Sequence, residues 1–223
     1  MKSLYIDIET LPPLQWTDDE VDAYVRARVP GTYKKPESDA QWCEENRSEV
    51  FARAALDWRV SKIACIGVVF DNGVTTSSMT FLGGLTDEAQ RRMFTELEWW
   101  LREHDAWSSV LVGHNIIGFD LPRLHLTAAR LGHSLAAWFH DISEDHRRRV
   151  TDTMHLAFPT RERVSLADLC DALDIPGKTG HGSDVLPLWL AGDTSAILDY
   201  CLNDVLITRK AHLALSGATD ADT

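Results

Sequence analysis

The chain is short of cysteine, of long apolar runs and of positive charge, and each shortage removes a class of protein. Its four cysteines, Cys43, Cys65, Cys170 and Cys201, are scattered, with no Cys-x-x-Cys pair. They read as reduced thiols, which excludes a disulfide-stapled secreted fold and implies an intracellular protein. No window approaches the roughly 18 apolar residues of a membrane-spanning helix. The amino-terminal stretch MKSLYIDIETLPP places carboxylates where a signal peptide needs an uninterrupted apolar run. A soluble, cytoplasmic protein with no membrane partner is the expectation. Lys and Arg number 22 against 34 Asp and Glu, a formal charge of −12. Such a deficit argues against a protein that grips nucleic acid by a broad basic surface, because neutralising phosphates dominates non-specific affinity. It leaves room for one that gathers carboxylates around divalent cations, since bound metal restores the local attraction for phosphate.

Internal repeats and low-complexity linkers are also missing, so a second domain has nowhere to begin. With 223 residues and 44% hydrophobic content, residues 1–215 are expected to form one domain, with residues 216–223 a disordered tail. Ser3 to Ile8 reads as a strand with Leu4, Ile6 and Ile8 on one face and Tyr5, Asp7 and Glu9 on the other. Pro12 and Pro13 end it. Residues 11–58 look like a helical insertion, with one helix capped by Thr17 and a second from Ser38 to about Leu56. Lys62–Phe70 and Val74–Phe81 form a hairpin about the turn Asp71-Asn72-Gly73. Asp87–His104 is an amphipathic helix, Ser109–Val112 a short buried strand, and Phe119–Leu131 a helix with Pro122 in its first turn. Ser165 and Asp168 resemble a capping box for a helix to about Leu173. A last helix runs from Asp193 to about Leu215 and is ended by Gly217. Positive charge concentrates in residues 121–165, which hold seven Arg and five His against five acids, so a surface for a phosphate backbone is expected there.

Three short motifs carry chemistry. In Tyr5-Ile6-Asp7-Ile8-Glu9-Thr10, the i, i+2 spacing puts Asp7 and Glu9 on one face of a strand, about 7 Å apart. Tyr200 and Asp204, at i, i+4 on the last helix, share a face with Cβ atoms about 5–6 Å apart. That helix is apolar almost all round, so an aspartate on it needs a partner, and a metal is a good one. Between them, Gly113-His114-Asn115-Ile116-Ile117-Gly118-Phe119-Asp120 leaves a buried strand and sets Asp120 at a helix start. Each motif alone has an ordinary explanation: a solvated strand face, a Tyr–Asp hydrogen bond, or an acid complementing a helix dipole.

Their conjunction is specific. D-x-E at a strand end, N-x-x-x-F-D at a strand-to-helix passage and Y-x-x-x-D on the final helix together resemble the DEDD 3′→5′ exonucleases of the tyrosine-bearing DEDDy branch. The flanking text, from Phe70-Asp71-Asn72-Gly73 to Ser165 through Lys178, looks most like a stand-alone relative of the family B DNA polymerase proofreading domain. The histidine-bearing branch needs His five residues before the last Asp, where this chain has Asp199. The resemblance covers residues 3–10 and about 61–213. It implies an α/β, ribonuclease-H-like fold, a five-stranded mixed sheet flanked by helices. It also implies hydrolysis of terminal phosphodiesters of single-stranded or frayed DNA, releasing nucleoside 5′-monophosphates with two Mg²⁺ or Mn²⁺ ions. By the same resemblance Asp7 bridges both ions, Glu9 and Asp204 complete the shell of the one holding the attacking water, and Asp120 acts on the other largely through water. Tyr200 orients the attacking water. All-oxygen ligands suit Mg²⁺ or Mn²⁺ better than Zn²⁺.

The resemblance further implies that Thr10 and Leu11 meet the terminal nucleotide through their backbone, Asn115 its backbone or sugar, and Phe119 a base or the ribose. Phe119 reads equally well as core. Lys178 is either a phosphate contact or a solvated loop lysine. Two rival functions stand beside the DNA exonuclease: an exoribonuclease of ribonuclease D type, since nothing here reads a 2′-hydroxyl, and a catalytically silent nucleic-acid-binding domain. The sequence assigns no polymerase or repair partner. In the insertion, Trp16, Tyr24, Tyr33 and Trp42 lie near Arg26, Arg28, Lys34 and Lys35. Such interleaving suits either one wall of a single-strand channel or simple packing of the added helices.

Overall fold

The computed structural model describes residues 2–33, 35–159, 163–177, 180 and 182–218. Five strands, β1 (Ser3–Leu11), β2 (Lys62–Asp71), β3 (Thr76–Leu82), β4 (Val110–Gly113) and β5 (Val150–Asp152), make one sheet in the order β3-β2-β1-β4-β5. The β1–β2 and β2–β3 pairs are antiparallel, and β1–β4 and β4–β5 parallel. The helices are α1 (Asp18–Arg26), α2 (Pro36–Ala52), α3 (Asp87–Glu103), α4 (Asp120–Leu131) and α5 (Leu135–Glu144), then α6 (His146–Arg149), α7 (Thr153–Ala157), α8 (Leu166–Ala172), α9 (Val185–Leu190) and α10 (Thr194–Ser216). The expected five-stranded mixed sheet flanked by helices is the one observed.

Strand β1 is central and buried on both faces, which explains why both its residue sets carry information. Leu4, Ile6 and Ile8 pack with Phe94, Leu97 and Leu101 of α3, Leu124 of α4 and Phe139 of α5. Tyr5, on the other face, packs with Val69, Val112 and Val205 of α10, and its hydroxyl lies 3.0 Å from His212 Nδ1. Helix α10 therefore lies across the face that Tyr5, Asp7 and Glu9 share. Its ends are where the sequence puts them: Asp193 accepts the Ala196 N–H, and Gly217 is left-handed at φ 67°.

Several boundaries differ from expectation for local reasons. Helix α2 begins at Pro36, because proline's fixed φ suits the first helical position. Ser38 is not its cap and instead donates to the Lys35 carbonyl at 2.8 Å. The helix ends at Ala52 and continues as a 3-10 turn, Arg53–Leu56. The hairpin turn is longer than Asp71-Asn72-Gly73, because the Asn72 side chain accepts from both Val74 and Thr75 N–H and delays β3 to Thr76. The capping box at α1 is complete, with Thr17 and Glu20 bonded reciprocally. At α8 the Ser165 hydroxyl accepts the Asp168 N–H and donates to the Asp168 carboxylate, which is too short to reach the backbone as Glu does. Part of the expected tail, residues 219–223, lies outside the described residues.

The insertion returns to the sheet through one acid. Asp57 takes hydrogen bonds from the Tyr24 hydroxyl at 3.0 Å, Arg28 at 2.7 Å and Arg59 at 2.8 and 2.7 Å. Those bonds, Arg59's first, hold its carboxyl well below the usual carboxylate range. Trp16 packs on Tyr24 and Tyr33 on Trp42, with ring centroids 5.3 and 6.3 Å apart, and Arg28 covers the Tyr24 ring at 3.2 Å. These ring contacts all lie within the insertion, while Lys34 lies outside the described residues. The basic run Arg147-Arg148-Arg149 precedes β5. It therefore sits at the amino-terminal end of the parallel strands, with Arg149 bonded to the Trp107 carbonyl ahead of β4. No helix among the described residues is long and apolar enough to cross a membrane.

Candidate active site

Asp7 and Glu9 come from the far half of β1, beyond the point where β4 pairs with it. The β1–β2 register slips between Glu9 and Thr10, so the strand bulges just after the two acids; bulges commonly re-aim side chains beside active sites. Facing them, α10 brings Asp204 one turn beyond Tyr200. A ligand oxygen from each of Asp7, Glu9 and Asp204 lies within 4.8 Å of the others. The helix comes this close because β2 carries glycine where it crosses. Gly67 is the register partner of Asp7, and a Cβ there would lie 2.9 Å from Cys201 Sγ and 3.3 Å from the Cys201 carbonyl oxygen.

Asp120 reaches the same place by a different device. Its loop leaves β4 at Gly113, where a Cβ would stand 2.7 Å from Ile116 Cβ, and turns at Asn115 with φ 57°. Buried Asp152, at the end of β5, accepts the N–H groups of Asn115 at 2.9 Å, Ile117 at 3.2 Å and Met154 at 3.1 Å. One carboxylate thus ties two loop amides and the start of α7 together. Asp120 is almost fully buried and accepts the Ile8 N–H at 3.1 Å. It stands outside the close trio.

Carboxylates packed this way disfavour one another's charge. Burial, and then the Asp7 charge, push the Asp120 carboxyl well above its usual range despite the Ile8 bond. Burial, followed by Asp204, Glu9 and Asp7, raises the Tyr200 phenol. Among the described residues, four acids and Tyr200 line the cleft, whose volume is about 280 Å³, and no Lys or Arg does. Only oxygen donors converge, the set that hard divalent cations take, with no sulfur or imidazole in the trio. The residues fit Mg²⁺ or Mn²⁺.

Of the substrate contacts expected from the sequence, Thr10, Asn115 and Phe119 line the cleft and Leu11 does not. The Leu11 side chain is wholly buried with Ala64, Cys65 and Val185. The Thr10 hydroxyl donates to the Ala55 carbonyl at 2.8 Å, so it holds the insertion rather than pointing free. Phe119 combines both readings, packing against the core cluster while lining the cleft. Lys178 lies outside the described residues. Sequence reasoning missed Asp152, whose signal is a short β-branched run, Val150-Thr151-Asp152, that ends in an acid just before a helix. It also missed His114, which bridges the Thr153 hydroxyl and the Val164 carbonyl at 3.0 and 2.8 Å, and Ala55 and Leu56, which form the insertion's edge of the cleft.

A family of predicted 3′→5′ exonucleases related to the exonuclease domain of PolB matches residues 51–216, roughly three quarters of the chain, and the chain belongs to that family. The match takes in Asp120, Tyr200 and Asp204 and begins beyond Asp7 and Glu9. Among solved structures, the family B DNA polymerase from the hyperthermophilic archaeon Pyrobaculum calidifontis is similar over 96% of this chain and 24% of its own, with a TM-score of 0.55 and 16% identity. At that identity the likeness is one of fold, the ribonuclease-H-like sheet of a polymerase exonuclease domain. The chain spans about a quarter of that polymerase. No curated protein matches the chain.

Proposed function

We propose, from that family and from the convergence of Asp7, Glu9 and Asp204 beside Tyr200, that the protein removes nucleotides from the 3′ end of single-stranded or frayed DNA. The convergence carries the reading. Three carboxylate oxygens within 4.8 Å repel one another when ionised, and a bound divalent cation relieves that repulsion. Asp7, Glu9 and Asp204, with Asp120 completing the set, would hold a pair of Mg²⁺ or Mn²⁺ ions, which when bound supply Lewis acidity at the phosphate and acidify water.

The protein's own groups do the rest. Tyr200, neutral and one helical turn from Asp204, orients the water that attacks phosphorus. The bond from phosphorus to the 3′ oxygen breaks, that oxygen leaves with a proton, and the products are a nucleoside 5′-monophosphate and a strand one residue shorter. Asn115 and Phe119 seat the terminal nucleotide, and the insertion's edge at Ala55 and Leu56 closes one side of the cleft against water. DNA is preferred to RNA as substrate because the family is related to the exonuclease domain of a DNA polymerase.

Parallel digestion of matched 5′-labelled DNA and RNA oligonucleotides, with Mg²⁺, Mn²⁺ or EDTA, tests the reading. The expected result is a ladder shortening from the 3′ end of DNA, absent in EDTA and reduced by several orders of magnitude in Asp204→Ala. Full-rate hydrolysis in EDTA would overturn the metal assignment, and digestion of RNA alone would overturn the substrate.

A further inference from the structure

Beyond the catalytic cleft the molecule carries a second groove of about 390 Å³ whose chemistry differs sharply from the first. Among the described residues no carboxylate lines it, in a protein of formal charge −12. Arg59, Lys62 and Arg130 line it together with Trp16, Trp58 and Thr127. The cations arrive from three separate places: the segment after the 3-10 turn, the start of β2 and the end of α4. Their nearest acids do not cancel them. Asp57 is shared by Arg28 and Arg59, and Asp87 by Lys62 and Arg130, so each carboxylate leaves one positive charge over. Trp58 is 60% exposed, and an indole that open on a soluble protein offers a flat stacking face.

The groove lies further along α4 from the cleft, which sits at that helix's start. Phe119, which lines the cleft, lies beneath the Arg123 guanidinium at 3.6 Å. Leu126, Thr127 and Arg130 follow Arg123 at spacings of three and four, on the same helix face, and all three line the groove. A parallel link runs through the insertion, where Leu56 edges the cleft and Trp58 the groove, with Arg123 donating to the Leu56 carbonyl. From Phe119 to Thr127 is about 12 Å at 1.5 Å per residue, roughly three or four nucleotides at the ~3.4 Å stacked spacing.

We propose that this groove is the track for the upstream part of the substrate strand: with the 3′ nucleotide in the cleft, the strand follows α4, stacks a base on Trp58 and lays its phosphates against Arg59, Lys62 and Arg130. The inference rests on the exonuclease reading for its direction, since the 3′ end must lie in the cleft. It assigns the strand contact to residues 58–62 and 130 rather than to the aromatics of α1 and α2.

Two measurements test it with thymidine oligonucleotides. In steady-state hydrolysis with Mg²⁺, the octanucleotide reaches the groove and the dinucleotide does not, so the wild type should show a lower KM for the octanucleotide. Trp58→Ala should raise the octanucleotide KM by about five- to a hundredfold, the worth of one stacked base, and erase the preference for length. Trp58→Phe should restore most of it. In the second measurement, anisotropy of a 5′-fluorescein octanucleotide in EDTA, Trp58→Ala should weaken binding by a similar factor. Arg130→Gln should lower the slope of log Kd against log salt by about 0.7, one single-strand phosphate contact. Unchanged octanucleotide affinity and an unchanged length preference in Trp58→Ala would overturn the groove. Strand binding that depends on Trp58 in a protein that hydrolyses neither oligonucleotide would uphold the groove and sink the exonuclease reading.

Discussion

Replacing Gly67 by alanine tests whether the approach of α10 to the sheet builds the site. The added Cβ would stand 2.9 Å from Cys201 Sγ, 3.1 Å from Val205 Cγ2 and 3.3 Å from the Cys201 carbonyl oxygen. None of these can yield cheaply. Cys201 is fully buried, its Sγ 3.6 Å from the Asp7 carbonyl oxygen, and Val205 is fully buried against Tyr5 and Val69. Comfortable carbon contacts lie near 3.5–4.0 Å, so α10 must lift by roughly half to one ångström. Over-packing of this kind costs about 1–3 kcal/mol, or roughly 2–12 °C in Tm for a chain of this length. The functional cost is larger in proportion, because Tyr200 and Asp204 flank Cys201 on the helix that moves, and a misplacement near 1 Å removes about a hundredfold in rate. Scanning calorimetry and exonuclease kcat, measured well below Tm, separate the two effects. Gly31→Ala is the control, because nothing lies within 4 Å of a Cβ there. Wild-type kcat in a destabilised Gly67→Ala protein would show that β2 gives way instead of α10, and would refute the claim that Gly67 sets the site.

Asp152→Ala should leave three backbone N–H groups without their acceptor, costing about 2–4 kcal/mol and lowering kcat at least tenfold, because Asp120 rides on the loop those bonds hold; amide exchange at Asn115 and Ile117 reports the loosening, and unchanged exchange refutes it. Asp57 is held below its unfolded value chiefly by Arg59, so its contribution to stability is complete above about pH 4 and drains away as pH falls towards the folded value. Asp57→Asn should therefore be less stable than wild type at pH 6 by urea unfolding, with the difference narrowing at pH 3, and a constant difference would remove Asp57 as the anchor of the insertion.

The candidate site residues were legible because each motif is local: a strand pair Asp7/Glu9, a helix pair Tyr200/Asp204 and a helix-start Asp120 need only periods of two and 3.6 to be placed. Their assembly was not local. It depends on Gly67, a single glycine in an apolar strand that reads as a weak point until a helix is known to cross it. Strand β5 was missed for the opposite reason. Three residues give no alternation to detect, and Asp152 looks like one more acid until the loop amides that it receives are seen. Helix α2 shows no apolar face and buries none of its residues, so its existence rested on propensity and its start on Pro36 rather than on the Ser38 that resembles a cap.

The expected basic segment, residues 121–165, is dispersed by the fold: Arg147, Arg148 and Arg149 lie together at the end of the sheet away from the cleft, Arg123 is buried, and Arg130 lines the groove. There Arg130 meets Arg59 and Lys62 from some seventy residues earlier in the chain. Division of labour follows from electrostatics. On the proposed reading, the carboxylates of the cleft would repel phosphate until divalent cations were bound, whereas the groove would attract it without them. A strand would then dock upstream before the cleft was loaded, and its 3′ end would enter once metal had offset the local charge. Affinity and turnover would depend on different cations, monovalent side chains for the first and divalent ions for the second, a way for an acidic protein to hold a polyanion without a basic surface.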